Sequence, residues 1–233
     1  MRRWTFLEPL RSIGYWVVLI SITVIGMWPI LTTVVVADDL IGPFSMYVDA
    51  GPNLLSNLHV GYKAASYGHF NYVGQVFGGF VNWFWLRLMI LGVRFSTIYA
   101  LTKLIMFILL VIIAARVARR LLCRSTSFVP VWRMRTVVAL SMIGTFQLHF
   151  VWSNDPVASY PMSGYASVVL ALAAVDAYIT FFDDHSWRRA SVASGLFMIS
   201  ILYYEMNMAV AVAAVVMGIE WAARTRTRGR ELW

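Results

Sequence analysis

Apolar residues in this chain gather into long runs divided by short polar stretches. A helix that crosses a hydrocarbon core of about 30 Å needs about 20 predominantly apolar residues. Runs of that order occupy 13–37, 96–115, 136–153, 164–182, 190–204 and 206–223. The first contains Pro29, which predicts a kink. The stretch from Ala190 to Ala223 is too long for one upright helix, and its middle, YYEMN, is polar. The pattern therefore predicts a break at Tyr203–Asn207 with Glu205 at the turn; a single long, tilted helix also satisfies it.

Between the first two runs lies a segment of different character. Residues 38–78 mix Gly, Pro, Asn, His and Tyr at modest hydrophobicity. FGGFVNWFWLRLMILGVRF, 77–95, is apolar but interrupted by Trp83, Trp85 and Arg87. Tryptophan concentrates at the membrane–water boundary. The segment thus predicts an interfacial helix or hairpin rather than a crossing.

The basic residues order these runs in space. Arg2, Arg3 and Arg11 precede the first run, and Arg116, Arg119, Arg120, Arg124, Arg133 and Arg135 fill the connection after the second. Arg188 and Arg189 follow the fourth, and Arg224, Arg226, Arg228 and Arg230 close the chain, whereas 153–165 has no Lys or Arg. Loops rich in Lys and Arg stay in the cytoplasm. The alternation predicts about six spans, both termini cytoplasmic, and external loops at 38–95, 153–163 and 203–207.

Composition agrees. The chain is 60% hydrophobic and 13% charged, with a mean hydropathy of +0.71, against about half apolar and about a quarter charged for a soluble domain. The net charge of +8 lies in clusters beside apolar runs, where it acts as a topology signal, so no nucleic-acid partner is expected. A single cysteine, Cys123, permits no intrachain disulfide. Arg2 and Arg3 before an apolar run resemble the start of a signal peptide, but 13–37 far exceeds the apolar core of about 7–15 residues that such peptides have. No P-loop, dinucleotide glycine pattern, zinc spacing or hydrolase elbow occurs. The expected fold is all-α: one polytopic transmembrane bundle over 1–233, with interfacial helices in the first external loop, 38–95.

Only 11 residues are Asp or Glu, so their placement carries information. Asp38, Asp39, Asp49, Asp155 and Glu205 fall on or near the external side, and His149 lies about one turn below it. Asp38 and Asp39 directly end the first run. Adjacent carboxylates repel unless a cation or proton is near, and their side chains diverge, which favours two roles: a general base for an incoming hydroxyl, and a group that orients substrate or holds a divalent metal. Solvated charge at a helix end is the plainer reading of the same pair. Glu205 sits in an otherwise apolar stretch and requires a partner; Arg87, Arg94, Lys103 or a metal are available. Asp176, deep in the fourth run, is either functional or paired with Tyr or Ser of a neighbouring helix.

VVVADDL, ILYYEMN and the aromatic, lysine-containing loop 44–85 together resemble the polytopic C-type (GT-C) glycosyltransferases. In them an acid of the first external loop serves as base or metal-linked residue, a later external helix end carries a tyrosine–glutamate element, and membrane-parallel helices follow the acid. The resemblance implies Asp38 and Asp39 as catalytic, with Asp39 as a ligand for Mg2+ or Mn2+. It also implies Glu205 as a second site residue; Asp155 and His149, on or near the same external side, and Lys63, Arg87 and Lys103, cations available to a donor phosphate there, complete the substrate-binding candidates. The donor would be a polyprenyl-phosphate sugar, the acceptor a glycan or lipid, and the location a bacterial plasma membrane, with membrane lipids around it. Relatives of this kind have seven or more spans, which implies a missing C-terminal half or a partner subunit. A small transporter and a non-catalytic membrane scaffold are the alternatives; a transporter would show repeated hydropathy units, and no clear repeat is seen.

Overall fold

A computed structural model describes residues 7–32, 50–65, 72–122, 130–149, 165–184 and 187–203. Apart from short turns they are helical, and no strand occurs among the described residues. Helix α1 spans Leu7–Gly26 and α2 Trp28–Thr32. The predicted kink falls at Met27, just before Pro29, because the proline ring crowds the turn N-terminal to it. The bonds Met27 N to Thr23 O and Leu31 N to Met27 O, both 2.8 Å, carry the helical path across the bend.

Helix α3, Leu54–Ala65, and α4, Tyr72–Ile90, pack together as a hairpin inside the first loop. Asn53 starts α3 as its N-cap, its side-chain oxygen accepting from Leu55 N at 2.9 Å. Helix α4 runs unbroken through Trp83 and Arg87 and stops at Gly92. There Val93 N donates to Leu88 O at 3.0 Å and Gly92 N to Met89 O at 2.9 Å. This is a Schellman end, which needs the left-handed backbone seen at Gly92, φ 87°. The 77–95 segment is therefore the larger part of one helix, then a tight turn, then the start of α5, Phe95–Leu122.

Helix α6 follows at Val131–His149, α7 at Ala166–Asp184 and α8 at Trp187–Tyr203. Five of the expected spans thus begin or lie on described helices, and 206–223 falls outside the described residues. Among the described helices α5 alone, over Phe95–Leu121, is both long and apolar enough to cross a membrane; Ile13–Gly26 and Ala166–Phe181 are shorter apolar stretches. Helix α4 falls short of that apolarity.

Two cores hold the bundle. Leu19, Met27 and Leu31 of α1 and α2 meet Phe107 and Val111 of α5 and Ala139 of α6. Val81 and Trp85 of α4 meet Ile98 and Tyr99 of α5. Helix α7 lies against α5 and α8, where Ala171, Ala174 and Ala193 are buried; small residues let helix backbones approach in lipid. Large apolar side chains such as Ile13, Ile25, Leu101, Ile105, Val137 and Met198 are exposed instead. The hydroxyls of Thr23, Thr102, Thr136 and Thr180 donate to carbonyls one turn back in their own helices. Hydroxyls satisfied within the helix suit apolar surroundings.

The contacts also fix relative direction. Tyr15 OH donates to Trp132 O at 3.1 Å, while Gly26 abuts Ile143, so α1 and α6 run parallel. Arg116 and Arg120 of α5 reach Asp176 and Thr180 of α7, so these also run parallel. Arg116, Arg119, Arg120, Arg133, Arg135, Arg188 and Arg189 consequently gather at one end of the bundle. Tyr203 and His149 close helices at the other.

Candidate functional site

The end opposite the arginines is built around α4. A methyl group added at Gly61 would strike the backbone of Gln75, and one at Gly79 the carbonyl of Asn57. The α3–α4 hairpin therefore closes backbone to backbone. Asn57, buried there, donates to Gly51 O and Asn53 O at 2.8 Å each, which leaves no amide hydrogen to compete for the contact. On another side of α4, Gly74 meets the carbonyl of Tyr203, at the end of α8, and Phe77 packs on the Tyr203 ring with centroids 6.0 Å apart. The first-loop hairpin and the end of α8 at Tyr203 thus share one junction. Gly74 is indispensable to it because a side chain there has no room.

The sequence-predicted residues divide around this junction. Asp38, Asp39, Asp155 and Glu205 lie outside the described residues; Glu205 stands two positions after Tyr203. His149 is the last residue of α6, on this end of the bundle. Lys63, exposed in the last turn of α3, is half a turn from Gly61 and so lies on the face of α3 away from the Gly61–Gln75 contact. Arg87 is remote from the junction. It lies 13 positions beyond Gly74, or about 20 Å along α4 at about 1.5 Å per residue, with its guanidinium 6.0 Å from the Trp83 ring centroid.

Lys103 departs furthest from its expected role. It is 1% exposed, and its Nζ stands 4.5 Å from the centroid of Tyr99, itself fully buried against Trp85. An ammonium on an aromatic face gains from the ring quadrupole most strongly where water is excluded. Here the protein surrounds the lysine. The apolar run around it made Lys103 look like an external cation, since hydropathy shows depth and not which face of the helix a residue occupies.

Asp176 has partners that the sequence reading did not name. Its Oδ2 lies 2.8 Å from Arg116 Nε and its Oδ1 3.2 Å from Arg120 Nε. The second is an ion contact without hydrogen-bond alignment, because Oδ1 accepts no bond. Arg120 Nη1 also donates to Asp176 O at 3.2 Å and to the Thr180 hydroxyl. The i, i+4 spacing of the two arginines was the available signal. This cluster belongs to the arginine end, away from the junction. No group of three metal-ligating side chains occurs among the described residues.

The sequence matches no protein-family model and no curated protein, and the fold matches no solved structure.

Proposed function

We propose that this chain is an integral-membrane glycosyltransferase that moves a sugar from a polyprenyl-phosphate donor to an acceptor hydroxyl, at the end of the bundle opposite the arginines. The observation that carries the reading is the Gly74–Tyr203 junction, which joins the hairpin that follows Asp38 and Asp39 to the helix that leads into Glu205. In this reaction Asp38 or Asp39 takes the acceptor proton as its oxygen attacks the anomeric carbon. The bond from that carbon to the phosphate oxygen breaks, and polyprenyl phosphate leaves with the bonding electrons. Lys63, exposed on α3, neutralises the departing charge. Six spans with both termini in the cytoplasm complete the proposal, placing the reaction on the external face.

Transfer from a panel of lipid-linked sugars, assayed in vesicles with the full chain, tests it. Asp38→Asn or Asp39→Asn should lower the rate by about 100-fold or more, the scale of a lost general base, with the unfolding midpoint unchanged. Glu205→Gln should cost less. Wild-type rates in both aspartate variants would overturn the reading. A non-catalytic partner subunit is the second reading. The enclosure of Lys103 and the distance of Arg87 from the junction favour it, since neither meets a donor phosphate there. That reading expects transfer only in complex with a catalytic chain.

A further inference from the structure

Helix α4 presents one outward stripe that stays open. Phe77, Phe80, Phe84, Arg87 and Leu91 follow one another at intervals of three, four, three and four residues, which sets them on one face. Leu91, just past the last turn, still donates its N–H to Arg87 O at 3.1 Å and so keeps the helical path. Phe77 and Phe80 are each 40% exposed, Phe84 47% and Leu91 78%, and Arg87 is exposed with them. Gly79, Val81 and Trp85 are buried on the other side. The stripe is firm. The Phe77 and Phe80 rings stack with centroids 6.1 Å apart, Phe80 stands 5.8 Å from Trp83, and Trp83 carries the Arg87 guanidinium. Side chains already held by one another lose little freedom when a partner packs on them.

An alternation of three and four is the spacing of a helix–helix seam, in which side chains of one helix enter the gaps of another. Lipid tails would also wet phenylalanine, and Arg87 decides between the two. It stands inside the stripe, with Phe84 on one side and Leu91 on the other, and not at an end from which a long cation reaches headgroups. A charge within an apolar seam fixes partner and register, and calls for an opposite charge across the seam. This chain supplies none nearby. Arg87 meets no carboxylate among the described residues, and between Asp49 and Asp155 the sequence has no Asp or Glu. A second copy of α4 would bring the cation onto another cation or onto phenylalanine, so the occupant is not this chain.

We propose that the outward stripe of α4 is the docking face for a helix of a different protein, apolar along its seam and carrying one carboxylate that meets Arg87. Phe77, Phe80, Phe84 and Leu91 supply the packing, and the guanidinium edge, left open by its contact with Trp83, takes the carboxylate in a charge-assisted pair. Packing of this kind carries association where lipid is as apolar as the helices, and a polar pair adds selectivity to it. The inference is independent of whether this chain itself transfers a sugar.

Photocrosslinking in phosphatidylcholine vesicles tests it. The full chain, with Phe84→p-benzoylphenylalanine as a ring-preserving probe, is titrated with synthetic leucine-seam helices that differ only in one central seam residue, Glu, Gln or Lys. The Glu helix should crosslink at a concentration about tenfold lower than the Gln helix, the scale of one charge-assisted contact. Arg87→Gln should abolish that preference. Arg94→Gln, which removes the exposed cation just beyond the stripe, should leave it within about twofold, as a diffuse surface charge does little. Arg87→Glu should transfer the preference to the Lys helix, a reversal that loss of folding cannot produce. Equal crosslinking of the Glu and Gln helices would overturn the proposal. Adducts with lipid alone would overturn it as well, as would adducts with a second copy of this chain that persist when the Glu helix is added.

Discussion

Asp176 is held by two arginines whose surroundings differ, and the difference sets what each is worth. The Arg116 side chain is 57% exposed and that of Arg120 29%, while the Asp176 side chain is 10% exposed. An exposed ion pair contributes about 0–1 kcal/mol, whereas an uncompensated buried charge costs several times that. Asp176→Asn, which leaves two cations facing each other, should lower stability by about 1–3 kcal/mol, less than for a fully buried pair. Arg116→Gln should cost less than Arg120→Gln, which also loses the bonds to Asp176 O and Thr180. Unfolding midpoints in detergent check both, and an Asp176→Asn midpoint equal to wild type would refute the argument. An acid deep in an apolar run was legible as needing a partner. Which partner was not, because a sequence reading places residues at depths and cannot show which faces of distant helices meet.

At the scale of the element, the glycines of α4 divide into those in contact and those that are not. Gly79 faces the Asn57 carbonyl, and its neighbour Gly78 has nothing within 4 Å of an added methyl. Gly79→Ala should therefore destabilise the α3–α4 hairpin by about 1–3 kcal/mol, the usual cost of overpacking. Gly78→Ala should be neutral or slightly stabilising, by up to about 1 kcal/mol, as alanine is the better helix former. Thermal unfolding of the pair decides, and equal effects would refute the contact. The long apolar helices were legible from their runs. Helices were expected in the first loop, but the bounds of α3 were not legible, and 38–78 read as a mixed stretch. The reason is physical: the glycines and asparagines that permit the close hairpin are the residues that blur helical periodicity.

Across the described residues, a mainly apolar core also takes in polar and charged side chains, while large apolar ones remain exposed. Lys103, Asp176, Thr23 and Ser200 lie inside, and large aliphatic side chains cover the flanks. Internal polar groups and arginines kept to one end are what a membrane setting favours, and α5 is long and apolar enough to cross one. The loop charges made that polarity legible without coordinates, and the parallel pairs α1–α6 and α5–α7 agree with it. A membrane-impermeant maleimide should therefore reach Cys123, just after α5, from the arginine side alone. In a Cys123→Ser background, Ser56→Cys on α3 should label from the opposite side only. Labelling of both from one side would sink the two-ended arrangement.

The Gly74–Tyr203 contact has a consequence for biogenesis. A chain leaves the ribosome at about 5–20 residues per second, so the residues between α4 and the end of α8 take on the order of ten seconds to follow. Throughout that interval the Gly74 face of α4 waits without its cover. The junction is the last part of the described fold to assemble, because translation delivers Tyr203 after every other described element.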